Sequence, residues 1–198
     1  MQLFYSATSP YARKVRVVAF EKGLHDLIQL HHCMPLENPR SLLQVTPLGK
    51  VPTLVVDNGV ALYDSPVICE YLDSLHHDLL LIPAHGDERW TVLRAQALAD
   101  GLLDTAIAQV FESRRPENER SPSVVARWHT QMLRAIAEME IQQPQLPVGL
   151  NLGHIAFACA LSYLDLRFAT LDWRATQPQL AAWFKEFAQR ESMRATQP

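Results

Sequence analysis

The sequence lacks an excess of charge of either sign. Its 18 lysines and arginines stand against 21 aspartates and glutamates, a formal charge of −3 over 198 residues. That excludes the basic field expected of a protein working on nucleic acid or on an anionic membrane. No apolar run is long enough to span a bilayer, and "MQLFYSATSP" has neither the basic start nor the apolar stretch of a secretory leader. Cysteine is scarce: Cys33, Cys69 and Cys159 are too few and too widely spaced for a disulfide framework. A cytoplasmic protein with reduced thiols is expected. What is present is 48% hydrophobic and 20% charged residues, enough to build one large core or two small ones.

The hydrophobic period changes often in the first eighty residues. "QLFY" reads as a strand. Pro10 to Lys22 reads as a helix with Tyr11, Val15, Val18 and Ala19 on one face and Gly23 as its stop. "LIQLHH" is a second strand, "PRSLLQV" a short helix at best, and "VPTLVVDNGVALY" two strands around the hairpin signal Asp57-Asn58-Gly59. "SPVICEYLDSL" is a further helix. The order β-α-β-α-β-β-α implies a small mixed sheet with helices on its faces. From Asp87 onward no strand is evident, and helical patterns run over 87–113, 122–142, 152–169 and 179–189. The stretch "HIAFACALSYL" is apolar on nearly every side and belongs at the centre of a bundle. The expected organisation is an α/β N-terminal domain over residues 1–76, a linker over 77–86 and an all-α bundle domain over 87–198. The repeated "RATQP" at Arg174 and Arg194 has no period around it and reads as coincidence.

Three short stretches point to chemistry. Proline is favoured at the first position of a helix and serine at the cap before it, so Ser9-Pro10 and Ser65-Pro66 mark two helix N-termini. Each such end presents unpaired N–H groups and a partial positive charge suited to an anion. Asp64, beside the second, suits an ammonium. Between them lies "KVPTL", in which Pro52 precedes a strand. A cis Val51–Pro52 bond would turn the Val51 main chain outward, free to pair with an extended peptide. Taken singly, each serine does no more than cap a helix and Pro52 is a strand-edge proline. Taken together, they describe a site for a peptide-like ligand with an anionic group at each end. A β-α-β unit followed by β-β-α, with proline before the third strand, is the thioredoxin arrangement.

"SPYARKVRVVAFEKGL", "TPLGKVPTLVVDNGVALYDSPVICEYLD" and the helices that follow resemble a bacterial glutathione S-transferase of the serine type, and the resemblance covers essentially the whole chain. It implies a thioredoxin-like domain joined to a helical domain. It implies that glutathione, as co-substrate, lies extended with its cysteinyl main chain on Val51, its γ-glutamyl end at Asp64 and Ser65, and its glycyl end near Lys50. Ser9 stands where serine-type members stabilise the thiolate and where omega-type members carry a cysteine. No cysteine is near it in sequence, which argues against mixed-disulfide chemistry. A symmetric homodimer and a role in detoxification follow from the same resemblance.

The role of Ser9 can also be put in physical terms. A free thiol has a pKa near ~8.5, and lowering it by two units takes roughly 2.7 kcal/mol. A hydroxyl hydrogen bond plus a helix N-terminus can supply that. Tyr5, Ser6 and Thr8 are rival donors, and Tyr5 is the serious one because tyrosine-type relatives place their donor at the end of the first strand.

One departure stands out. Relatives carry a Ser/Thr-x-x-Asp capping box at the core helix of the second domain, where this chain reads Asn151-Leu152-Gly153-His154. Asn151 still caps, but His154 is a poor stand-in for the carboxylate. His31-His32-Cys33 and His76-His77 lack the spacing of a metal site, so no metal is expected. Trp90, Trp128, Trp173 and Trp183 read as core or interface.

Two functions compete. One is an enzyme that drives the glutathione thiolate onto a small hydrophobic electrophile held near Tyr11, Met34 and Gln109. Peroxide reduction, isomerisation or dehalogenation on the same fold are variants of it. The other is a non-catalytic binding or regulatory protein of the stringent-starvation type.

Overall fold

A computed structural model describes residues 1–76 and 78–198. His77, the first residue of the expected linker and half of the His76–His77 pair, lies outside the described residues. The chain forms two compact units, Met1–Ala84 with Gln189–Pro198, and His85–Ala188.

In the first unit, β1 (Gln2–Tyr5), α1 (Pro10–Glu21), β2 (Gln29–His32), α2 (Arg40–Leu43), β3 (Thr53–Val55), β4 (Ala61–Leu62) and α3 (Ser65–Ser74) follow in the expected order. The sheet runs β2-β1-β3-β4. β1 and β2 are parallel and the other two pairs antiparallel. A parallel pair needs a crossover, which α1 supplies, while an antiparallel pair needs only a tight turn. That turn is the Asp57-Asn58-Gly59 signal. Gly59 sits at φ 85°, its N–H bonds to the Val56 carbonyl at 2.8 Å, and the Asn58 side-chain oxygen accepts from Val60 N–H at 3.0 Å. Leu3 and Leu54, opposite one another on β1 and β3, are fully buried.

Burial on α1 is wider than the single face expected. Ala12, Arg13, Lys14 and Val17 are buried along with Val15, Val18 and Ala19, while Tyr11 is only half-buried. The reason is a second neighbour. One side of α1 packs on α3, and another receives the short helix α9 (Glu191–Ala195), for which the sequence pattern offers no signal. After α3 the chain is pinned rather than loose. The buried Lys22 ammonium pairs with Asp73 at 3.0 Å and donates to the carbonyls of Asp73, His76 and Leu79. The same carboxylate accepts the N–H groups of Leu81 and Ile82 at 2.8 and 2.9 Å. The polar stretch after α3 is thereby tied back to it.

The second unit holds α4 (Asp87–Ser113), α5 (Pro122–Gln142), α6 (Leu152–Arg167), α7 (Trp173–Thr176) and α8 (Pro178–Phe187). α6 ends two residues short of the expected limit, at the non-helical cap Phe168, and α7 is a turn that the sequence reading passed over. α6 is buried nearly all round and packs most extensively on α4. The approach is close: a Cβ at Gly153 would meet the Ala95 Cβ at 3.1 Å and a Leu146 methyl at 3.0 Å. Asn151 does cap α6, accepting from His154 N–H at 3.1 Å while donating to the Pro147 carbonyl at 3.0 Å. The His154 ring, unable to supply a capping carboxylate, lies tilted against Trp183 and Phe187, with ring centroids 5.8 and 6.3 Å away. Trp173 is buried, Trp128 and Trp183 half-buried, and Trp90 is 66% exposed. Among the described residues, no helix is long and apolar enough to cross a membrane.

Candidate functional site

The sheet register gathers the three sequence stretches. Phe4 lies opposite Thr53 in an antiparallel pair, and Leu54 opposite Leu62 in the next. The end of β1, the start of β3 and the end of β4 therefore share one end of the sheet. From that end the chain leaves toward Ser9, enters from Lys50-Val51-Pro52, and leaves again toward Asp64-Ser65.

Ser9 is the N-cap of α1, in extended conformation, with Pro10 as the first helical residue. Its Oγ accepts the Ala12 N–H at 3.2 Å. Its own N–H bonds to the Ser6 carbonyl at 3.1 Å, and its carbonyl takes the Arg13 N–H at 3.0 Å. A hydroxyl that accepts in this way keeps its proton to donate, so the cap and a donor role are compatible. The first turn of α1 contains no acidic residue to offset the partial positive charge of its end. Ser9 is half-buried, Ser6 buried and Thr8 exposed. Tyr5 is half-buried with its ring engaged: the Arg16 guanidinium lies 5.1 Å over it, and His32 meets it edge-on at 5.5 Å. Arg16 was not among the residues singled out from sequence. Burial lowers its pKa, against an opposing contribution from Tyr5.

Lys50 is exposed and Val51 half-buried. The Lys50 carbonyl accepts the Thr53 hydroxyl at 3.0 Å. The Val51–Pro52 peptide is cis, as is Tyr63–Asp64. Among the described residues the Val51 main chain has no hydrogen-bond partner.

The second Ser-Pro start differs from expectation by one position. Asp64, not Ser65, is the N-cap of α3, because its carbonyl accepts the first helical bond, from Ile68 N–H at 3.0 Å. Ser65 is the first helical residue and Pro66 the second, a position whose N–H would also lack a partner in the helix. The Asp64 side chain makes no capping bond and is exposed, and the buried Ser65 hydroxyl has no partner among the described residues. The signal was available, since aspartate is as good an N-cap as serine.

Tyr11 and the exposed Met34 belong to the first unit and Gln109, on α4, to the second. The Gln109 side-chain oxygen is buried without a hydrogen-bond partner. His31 stacks on Phe4 at 5.1 Å. Among the described residues, no group of three or more histidines, cysteines, aspartates and glutamates could hold a metal. Cys33, Cys69 and Cys159 are buried and form no disulfide among the described residues, and burial pushes the Cys33 thiol up.

Residues 8–75 match the family model of the glutathione S-transferase N-terminal domain. Over its whole length the chain is 31% identical to the uncharacterized GST-like protein YibF of Escherichia coli, covering 98% of it. A stringent starvation protein A homolog of Haemophilus ducreyi is 28% identical over 137 residues, 67% of this chain and 60% of that protein. Among solved structures, a glutathione transferase family member from Pseudomonas fluorescens Pf-5 with bound glutathione is 40% identical, with a TM-score of 0.96 over all of this chain and 98% of that one. A second structure from the same source holds S-(propanoic acid)-glutathione and superposes with a TM-score of 0.91. On these grounds, and with a thioredoxin-like sheet joined to a helical remainder, the chain belongs to the glutathione S-transferase family.

Proposed function

We propose that this protein binds glutathione at the shared end of the sheet and transfers it to a small hydrophobic electrophile. The observation that carries this reading is the meeting at one sheet end of two helix N-termini with a main chain, that of Val51, that has no partner among the described residues. The bound glutathione in the Pseudomonas fluorescens relative supports it.

In this reading Asp64 accepts from the γ-glutamyl ammonium, and Ser65 with the first N–H groups of α3 meets the γ-glutamyl carboxylate. The N–H and carbonyl of Val51 pair with the cysteinyl residue, and Lys50 faces the glycyl carboxylate. Glutathione releases its thiol proton to solvent, and the Ser9 hydroxyl donates a hydrogen bond to the resulting thiolate. The sulfur lone pair then forms a bond to the electrophilic carbon. A leaving group departs with the displaced electron pair or, in an addition to a double bond, the adjacent carbon takes a proton from water. Tyr11, Met34 and Gln109 are the proposed acceptor residues. The S-(propanoic acid)-glutathione held by the relative supports including carboxylate-bearing acceptors in the set.

A homodimer is part of the proposal, supported by large apolar side chains left exposed, Trp90 and Phe111 on α4 and Leu27, Leu36 and Leu48 in the first unit. Sedimentation equilibrium at micromolar concentration tests it, since a single species near 22.4 kDa means a monomer. Three buried cysteines that form no disulfide among the described residues support a cytoplasmic setting.

Calorimetric titration with glutathione, followed by a panel of chromogenic and acrylate-type electrophiles, tests the function. Binding with turnover is expected. Binding without turnover on any electrophile would favour a non-catalytic binding or regulatory role, and no binding would refute the site.

A further inference from the structure

We propose that residues 190–196 form a clasp that sets the orientation of α1 and so holds the Ser9 hydroxyl in place, making Arg13 and Glu21 positioning residues of the site. This rests on the glutathione-binding reading given above.

The clasp grips α1 at two points. Near its far end, the Glu21 carboxylate accepts a bidentate pair from Arg190, at 2.7 and 2.8 Å, and the Ser192 hydroxyl at 2.5 Å. Near the site, the buried Arg13 guanidinium donates to the Met193 carbonyl at 2.9 Å and to the Thr196 hydroxyl at 3.4 Å. Arg16 adds a longer bond to the Ala195 carbonyl at 3.4 Å. Residues 13 and 21 are eight apart, about 12 Å along a helix. A rod held at two points that far apart cannot rock about either.

The chemistry of the grip is matched on both sides. α9 has five residues, so its last carbonyls have no partners within the helix. Guanidinium groups are suited to fill them, both as donors and as cations at a helix C-terminus. The carboxylate is likewise matched to a fork-shaped donor. Burial raises the Glu21 pKa, but the bonds from Arg190 and Ser192 and the charge of Arg190 outweigh it, and the net direction is downward. Ser192, Met193 and Thr196 are each at most 3% exposed, so the segment packs against α1, while the Arg190–Glu21 pair lies at its surface edge, with the Arg190 side chain 41% exposed and that of Glu21 12%.

The link to the site is short. The Arg13 N–H bonds to the Ser9 carbonyl and the Ala12 N–H to the Ser9 hydroxyl. A tilt of the helix at Arg13 therefore moves the one side chain in the first turn that is proposed to face sulfur. α3, whose first turn carries Ser65, is held at its other end, where Asp73 takes the Lys22 ammonium and the N–H groups of Leu81 and Ile82.

Three variants test the clasp: Glu21→Gln, Arg190→Ala, and the charge exchange Glu21→Arg with Arg190→Glu. Each is read in two ways, by the pH titration of the bound glutathione thiolate in the ultraviolet and by hydrogen exchange at the amides of Ala12 and Arg13 against those of Ile68 and Cys69 in α3. The single variants are expected to leave three- to tenfold less thiolate at neutral pH, a thiol pKa raised by about half to one unit. Exchange should quicken in α1 and not in α3, with most of both effects recovered in the exchanged pair. Ser9→Ala serves as the control. If it raises the thiol pKa while the clasp variants titrate like the parent chain, the positioning role is overturned. If Ser9→Ala itself titrates like the parent, or the parent binds no glutathione, the reading of the site has failed. The amide exchange alone then decides the clasp: unchanged rates in α1 overturn it and faster rates there support it.

Discussion

Two Ser-Pro dipeptides open two helices at the same end of the sheet, and they are used differently. At α1 the serine is the cap. Its oxygen is engaged by Ala12 N–H, and only its proton is left to offer. At α3 the serine lies one residue inside the helix. Asp64 takes the cap position without capping through its side chain, and the Ser65 hydroxyl has no partner among the described residues. One start satisfies itself and contributes a single directed donor. The other leaves its first N–H groups, a hydroxyl and a carboxylate for something outside the chain. A donor aimed at one atom suits sulfur, and an open set of mixed polarity suits the amino-acid end of a peptide.

If that division of labour is right, the two starts should fail differently when cut back. The largest effect is expected for Ser9→Ala in turnover. A thiol pKa raised by up to two units lowers the thiolate at neutral pH on the order of 100-fold, while glutathione affinity, measured by calorimetry, changes little. Full activity in Ser9→Ala together with its loss in Tyr5→Phe would move the donor role to the tyrosine. Next come Asp64→Ala and Ser65→Ala, each expected to raise the glutathione dissociation constant about tenfold, the cost of one charge-assisted hydrogen bond, without shifting the bound thiol's titration. Unchanged affinity in both would remove them from the site. The smallest difference lies in stability. Ser9→Ala should cost about 1 kcal/mol in urea unfolding, as losing a cap does. Ser65→Ala should stay within ~0.5 kcal/mol, because the hydroxyl it removes bonds to nothing among the described residues. Equal losses would mean that Ser65 caps its helix after all.

Much of this was legible from sequence because it depends on near neighbours. Asn58-Gly59 writes its own turn, Pro10 sets the start of α1, and the apolar circumference of α6 announces a central helix. That the sheet would be small and mixed followed from the connections, a helix between one pair of strands and a hairpin between another; its strand order did not. What could not be read was set by contacts distant in sequence. The Ser65 register turned on which carbonyl began the helical ladder. The broad burial of α1, and Arg13 within it, depended on a segment some 180 residues away that looks like any polar helix end. Nor does anything in "HHDLLLIPAHGDER", read as a linker, declare that Lys22 and Asp73 hold the main chain at His76, Leu79, Leu81 and Ile82.

The returning segment also imposes an order of events during synthesis. The partners of Arg13 are 180 and 183 residues downstream of it. At the usual pace of about 5–20 residues per second, roughly 10–40 s pass between the appearance of that arginine and of the carbonyl that receives it. All of residues 85–188 emerge from the ribosome in that interval. The sheet and α1 can assemble early, but the first unit becomes complete only after the second has been made. A nascent chain halted anywhere before residue 190 therefore lacks the segment that receives Arg13 and Glu21 in the finished protein.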